Sequence, residues 1–378
     1  MRIELFKMER IQCLYENTVR YNLSESGVMP VDARWLLKDK SSIEQLLSRK
    51  LGYPPAGGSE LLREHIAEYY GTLPENVRVT NGSSEANFMI FWALLEKSDQ
   101  AAIMIPNYLQ TWGLARHFAR AARKFRLLEL SSVNGTKRWG LDMESLNRAV
   151  GNRTRIILIT NPNNPTGAVL TEEEMREVVR LADRFGAWIV ADEVYRGADS
   201  GSSKSGPGFW GRYPKLLVVS GLSKAFGLPG LRTGWIVGPK KILEKLESCH
   251  DYLTLTPAAL SDHLATLAMH AGRRKTLLKR TRKIIADQWP ILERWIPKHP
   301  ELHCIPPESG AIAFIRYQFA VSSVKLFERL RLEESVLVTP AAHFGLNSRY
   351  FRVGFGYDPL RLRLGLKNIS RLFASLRT

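Results

Sequence analysis

Between about residue 75 and residue 240, short apolar, β-branched runs alternate with stretches of helical periodicity, and nothing else in the chain narrows its fold so much. The runs occupy residues 77–80, 101–105, 125–130, 156–160, 188–191, 216–220 and 235–237. Runs that are apolar on both faces are buried on both faces, as in a largely parallel sheet with helices packed on either side. One intervening helix can be placed from its punctuation. Thr171 is its N-cap, Glu174 completes a capping box three positions later, and Gly186 follows the last turn. The pattern predicts an α/β large domain over residues 46–265, with a mostly parallel seven-stranded sheet. Beyond it the chain is helical and basic, then forms short strands at 311–317, 335–339 and 350–354, and ends in a helix. Residues 266–378, joined by residues 1–45 as an N-terminal arm, are expected to make a smaller α+β domain.

Composition enters as a set of exclusions. With 44% apolar and 24% charged residues over 378 positions, the chain can bury a sizeable core and is not disordered. No run of about 18 apolar residues is present, so no membrane segment is expected. Met1-Arg2-Ile3-Glu4 does not open a signal peptide. Cys13, Cys249 and Cys304 are scattered without metal-ligand spacing; they read as reduced thiols of a cytoplasmic protein, and no metal is expected. The net charge of +17 raises nucleic acid as a partner. Its densest run, residues 273–283, reads as a helix with basic residues on a solvated face, and no nucleic-acid-binding motif accompanies it. Neither nucleic acid nor membrane is therefore expected as a partner.

Sheets of this kind bind ligands beyond the carboxyl ends of their strands, so the polar turns there are where chemistry is expected. Lys224, behind Ser223 and beside the small residues Ala225 and Gly227, is partly shielded, which suits an amine for Schiff-base chemistry. Arg232, in Gly230-Leu231-Arg232-Thr233-Gly234-Trp235, is a fixed cation able to hold a phosphate. Asn81-Gly82-Ser83-Ser84 opens a helix whose free N–H groups and hydroxyls suit an anion. Asp192 ends a buried run, where a carboxylate is costly without a cationic partner such as a pyridinium nitrogen. Tyr195 stands three residues on, in reach of a ring oxygen. Taken singly, Lys224 reads as a surface charge, Ser83 and Asp192 as helix caps, and Tyr195 as a core aromatic. Taken together they do not.

Asn161-Pro162-Asn163-Asn164-Pro165-Thr166-Gly167, Asp192-Glu193-Val194-Tyr195, Ser223-Lys224 and Pro229-Gly230-Leu231-Arg232-Thr233-Gly234-Trp235 occur in this order at these separations. The set resembles the fold type I, pyridoxal-5′-phosphate (PLP)-dependent aminotransferases of class I/II. The likeness also takes in Tyr53, Tyr108 and Arg352. It implies that Lys224 carries the cofactor and shuttles the substrate proton, that Asp192 pairs with the pyridine nitrogen, and that Asn164 and Tyr195 contact the ring hydroxyl. It further implies that Tyr108 stacks on the ring and that Ser83, Ser84, Ser223 and Arg232 hold the phosphate. Tyr53 would reach in from the second subunit of a homodimer with shared active sites. Arg352 would clamp the α-carboxylate of an amino-acid substrate, with Asn164 and Gly27 beside it and a 2-oxo acid as second substrate. The family often has a hydroxyl three residues before the lysine; here that position is Gly221, with Ser220 or Ser223 as substitutes.

The arm resembles, more narrowly, the opening of capreomycidine synthase and related guanidino-amino-acid cyclases, in Met8-Glu9-Arg10, Tyr15-Glu16 and Tyr21-Asn22-Leu23-Ser24-Glu25-Ser26-Gly27-Val28. Met29 stands where those enzymes continue with a histidine. That likeness implies elimination of a hydroxyl from a hydroxyarginine followed by ring closure, with Glu9 and Glu16 as guanidinium partners. An exposed arm carboxylate is the plainer reading of both glutamates. The activity expected is that of an aminotransferase, with the eliminating cyclase as its alternative.

Overall fold

In the computed structural model, which describes residues 3–131, 135–201, 206 and 208–377, the apolar runs assemble into one eight-stranded sheet. Its strands are β1 (Val77–Thr80), β2 (Gln100–Ile105), β3 (Ala121–Ser131), β4 (Lys137–Leu141), β5 (Thr154–Thr160), β6 (Trp188–Asp192), β7 (Leu216–Gly221) and β8 (Gly234–Val237). They lie in the order β1-β8-β7-β6-β5-β2-β3-β4. The inner pairs β7–β6, β6–β5, β5–β2 and β2–β3 are parallel, while β8 runs antiparallel to both its neighbours. Side-chain alternation divides the core between the two faces. Ile157 and Ile159 enter one apolar cluster, and Ile156 and Leu158 enter the other.

The seven expected strands are all present, and β4 is the eighth. Its sequence, Lys-Arg-Trp-Gly-Leu, carries two cations and a glycine and gives no apolar run. What holds it is pairing: Leu141 to Lys137 lie antiparallel to Leu127 to Ser131. Glu174 adds a long-range tie, accepting from Leu141 N at 2.9 Å and from Arg138 Nη2 at 2.8 Å. The same carboxylate closes the capping box of helix Glu172–Phe185, and Gly186 ends that helix at φ +65°. The left-handed turn there is one glycine adopts without cost.

A second, antiparallel sheet runs Leu302–Cys304, Ile312–Tyr317, Tyr350–Gly354, Thr339–Pro340. The strand expected over 335–339 is split. Val336–Leu337 pairs in parallel with Tyr21–Asn22 of the N-terminal segment, and Thr339–Pro340 joins this sheet. Helix Ala271–Trp295 contains the basic run, but the solvated-face reading needs correction. Arg274 is buried, donating to the carbonyls of His65 and Met269 and lying over the Tyr69 ring. Arg280 donates to Met29 O and Arg282 to Gly197 O. These guanidinium groups tie the helix to backbone carbonyls of neighbouring segments. The surface loop expected over 201–208 lies mostly outside the described residues. Among the described residues no helix is long and apolar enough to cross a membrane, and Cys13, Cys249 and Cys304 are free.

Candidate active site

Parallel register brings the ends of β5, β6 and β7 side by side: Thr160 pairs with Asp192, and Asp192 with Val219 two residues before Gly221. The turns beyond them border one cavity of about 460 Å³. Lys224, Asp192, Tyr195, Asn164, Ser83, Ser84, Ser223, Tyr108, Arg232, Arg352, Glu9 and Glu16 all line it. Gly27 and Tyr53 do not. Gly27 lies just behind the wall, where an added Cβ would stand 3.3 Å from the Ser223 carbonyl and 3.9 Å from Lys224 Cδ. Tyr53 is 86% exposed and away from this chain's cavity.

One end of the cavity is built for an anion. Gly82, at φ +90°, turns the chain into helix Ser83–Leu94, so that the helix N-terminus and the hydroxyls of Ser83 and Ser84 face the cavity. A Cβ on Gly82 would sit 2.7 Å from Arg232 Nη2, so only glycine lets the guanidinium lie against this turn. Arg232 itself is held at φ +48° at the end of a 3-10 turn, a backbone state that a non-glycine residue occupies at some cost. The hydroxyl question at position 221 has a steric answer. A Cβ there would lie 2.8 Å from the Thr233 carbonyl. Ser220 is turned away, donating to Glu193 O at 3.2 Å, which leaves Ser223 as the hydroxyl on the cavity.

Asp192 is buried, and among the described residues its carboxylate has one hydrogen bond, from Val194 N at 3.2 Å. Burial pushes its pKa up from 3.8 to about 6, with the Val194 amide opposing, Glu193 adding to the rise and Lys224 opposing it. A carboxylate so placed fits a cationic partner. The Tyr195 hydroxyl is buried without a partner among the described residues. Arg352 is 2% exposed; Nη1 donates to Asn164 Oδ1 at 2.8 Å, and Nη2 to Thr339 Oγ1 at 3.2 Å and to Ser24 O. Its Nε has no partner among the described residues. Burial draws the guanidinium's pKa downward, opposed by Tyr195, Glu25 and Glu9. The Asn-rich turn behind Asn164 is locked by its own side chains: Asn163 Oδ1 accepts from Thr166 N and Oγ1, and Asn161 Oδ1 accepts from Leu170 N.

The remaining wall comes from the N-terminal segment. Helix Lys7–Tyr15 contributes Glu9, with Glu16 following it, and Glu25 and Ser26 arrive from the strap that follows Tyr21–Asn22. Glu9 Oε1 accepts from Tyr108 Oη at 2.9 Å, and Phe6 meets the Tyr108 ring edge-on at 4.8 Å. Burial and then Glu9 raise the Tyr108 hydroxyl well above its usual pKa. Burial, then Glu25, then Glu9 raise that of Glu16, so the three carboxylates feel one another across the cavity. Sequence reasoning missed Ser26, whose Oγ accepts from Lys224 Nζ at 2.9 Å, and Ser24 and Thr339, which hold Arg352. No spacing announces a contact between residues 198 apart.

The chain matches the aminotransferase class I and II family over residues 25–369. It is 31% identical over 331 residues to the capreomycidine synthase of Streptomyces vinaceus, covering 87% of this chain and 82% of that one. It is 24% identical to an aspartate aminotransferase of Pyrococcus horikoshii, over 98% of this chain and 96% of that one. A PLP-dependent aminotransferase from Streptococcus suis superposes with a TM-score of 0.90 at 28% identity, covering 100% of this chain and 99% of that one. The chain belongs to the class I and II aminotransferase family, whose members are PLP-dependent enzymes.

Proposed function

We propose that the protein acts at the α-carbon of an amino acid with a cationic side chain, as an aminotransferase that passes the amino group to a 2-oxo acid. One observation carries the reading: Lys224, Asp192 and Arg352 share a cavity with the carboxylates Glu9, Glu16 and Glu25. The residues present fit PLP. Asp192 is a buried carboxylate with a single amide partner, suited to the ring nitrogen, and Tyr195 is a buried phenol free for the ring oxygen. Ser83, Ser84, Ser223 and Arg232 surround the helix N-terminus where a phosphate fits. When bound, PLP supplies an electron sink for the substrate's α-carbon.

The chain's own groups then have separable tasks. Lys224 Nζ carries the cofactor at rest, takes the α-proton once freed, and gives it back. Asp192 keeps the ring nitrogen protonated. Arg352 lines the cavity beside Asn164 and binds the α-carboxylate as a buried, fixed guanidinium, with Nε–H as the donor not already engaged among the described residues. Glu16 and Glu25 face the side chain of the substrate. Glu9 is already engaged by Tyr108, so its part in reading a cation is shared with holding that ring. Tyr53, 86% exposed on its own chain, is free to reach the neighbour's phosphate site in a homodimer.

A second reading has its own support in the 31% likeness to capreomycidine synthase: elimination from a hydroxyarginine, followed by ring closure. The groups around the cofactor serve both. Product masses separate them. Arginine with a 2-oxo acid yields a new 2-oxo acid and a new amino acid under the first reading, and β-hydroxyarginine loses water under the second. Under the first reading kcat/KM for arginine should exceed that for glutamate and leucine, and under the second β-hydroxyarginine should take arginine's place. Glu16→Gln and Glu25→Gln should lower kcat/KM for the cationic substrate alone. A preference for glutamate, unchanged in both variants, would refute the cationic substrate.

A further inference from the structure

Lys224 presents its ammonium to the cavity on a flexible four-carbon stem, and among the described residues that ammonium makes one hydrogen bond, to Ser26 Oγ at 2.9 Å. Ser26 is 6% exposed and its position is over-determined by backbone contacts on both sides. Upstream, Leu23 N donates to Leu337 O and Gly354 N donates to Leu23 O, each at 2.8 Å. Asn22 Oδ1 accepts from both Ser24 N and Ser24 Oγ. Downstream, Met29 N donates to Gly356 O at 2.8 Å, and Arg280 donates to Met29 O at 2.6 Å. Between them Gly27 lets the strap lie on the Ser223 carbonyl, one residue from Lys224 itself. A short hydroxyl on so fixed a backbone is a fixed point in space.

We infer that Ser26 is the positioning residue of the proton shuttle: its hydroxyl holds the freed Lys224 amine over the substrate's α-carbon. The inference rests on the assignment of Lys224 as that shuttle. In the step itself the α C–H bond breaks, the Nζ lone pair forms the new N–H bond, and the C–H electron pair stays with the substrate, for which PLP, when bound, would supply the electron sink. By accepting one N–H of the amine, the hydroxyl limits the stem's rotation and leaves the lone pair to face the substrate. Geometry of this kind matters because misplacing a reacting group by about 1 Å costs on the order of 100-fold in rate. The strap that carries Ser26 also supplies the carbonyl of Ser24 to Arg352, so seating the substrate carboxylate and aiming the base depend on the same segment.

The test compares Ser26→Ala with Ser26→Thr, which keeps a hydroxyl. Borohydride should fix the cofactor on the Lys224 peptide in wild type and both variants, with resting absorbance spectra alike. Exchange of the arginine α-proton with deuterated water, followed by NMR, should fall roughly 10–100-fold in Ser26→Ala and stay within about threefold in Ser26→Thr, with KM changing little in either. In the cofactor-free protein, reductive methylation of Lys224, read by mass against exposed Lys50, should rise several-fold in Ser26→Ala, because the amine has lost its partner. Exchange and methylation within twofold of wild type in Ser26→Ala, or an equal loss in both variants, would overturn the role of Ser26 while leaving Lys224 in place. Borohydride label on another lysine would overturn Lys224 as the base, and Ser26 with it.

Discussion

Replacing Asp192 by asparagine should stabilise the cofactor-free protein at neutral pH while weakening its hold on PLP. The carboxylate is buried, and its pKa stands at about 6 against 3.8 for a free side chain. Between those values the folded chain binds more protons than the unfolded one, so stability falls as pH rises through that window. At about 1.4 kcal/mol per pKa unit, the full cost is roughly 3 kcal/mol above pH 6, of which about half is already present at pH 5. Asparagine has nearly the same shape, can still accept from Val194 N, and does not titrate. Urea unfolding of cofactor-free wild type and Asp192→Asn should therefore diverge from pH 5 to pH 7.5 by about 1.5 kcal/mol, the variant being the more stable. Other titrating groups cancel in the difference. Added PLP should reverse the order, because the cationic ring nitrogen gives the carboxylate the partner it lacks. Equal pH slopes in the two cofactor-free proteins, or a variant less stable at pH 7.5, would refute the reasoning.

Lys224→Ala should fold, bind PLP without the yellow covalent form, and lose turnover; absorbance and borohydride mapping check this, and label retained on any peptide would contradict it. Arg352→Lys keeps a charge but not the planar fork, so kcat/KM should fall by about 2–4 kcal/mol of transition-state stabilisation with an unchanged cofactor spectrum. Because the wild-type guanidinium also ties Asn164, Ser24 and Thr339 together, Thr339→Val should cost about 1 kcal/mol in melting experiments and much less in kcat/KM. Inactive Tyr53→Ala chains mixed with Lys224→Ala chains should recover part of the activity if each site draws on two subunits, because one site of the mixed dimer then holds both Lys224 and its neighbour's Tyr53. A fully active monomer by light scattering would exclude that arrangement.

The large sheet and the polar turns that border its cavity were legible because both rest on local rules. A parallel strand buried on two faces is apolar throughout, and the turn beyond it is where ligands are commonly met. Asp192 and Lys224 therefore stood out by type and position as candidates, while Asn164 was picked out only by the family resemblance. The capping box at Thr171 and Glu174 and the glycine at 186 were equally local, since each satisfies backbone groups within a single turn of helix. Strand β4 was invisible for the converse reason: its five residues owe their conformation to β3 and to Glu174, not to their own hydrophobicity. The basic helix misled in the same way, because charge counts do not reveal which guanidinium groups find a buried carbonyl.

The sequence by itself determined the layers of this protein, the end of the sheet at which its polar turns gather, and the residue types in those turns. Only the tertiary structure decided how the N-terminal segment closes the cavity. Ser26 meets Lys224 across 198 residues, Ser24 meets Arg352 across 328, and Glu9 meets Tyr108 across 99. Such contacts carry no periodicity, since they depend on a strap held by Leu337, Gly354 and Gly356, whose own places are set by the packing of the second sheet. Propensity and patterning act over a few residues. The aim of a lysine amine and the grip on a carboxylate act over a few ångströms between segments far apart in the chain.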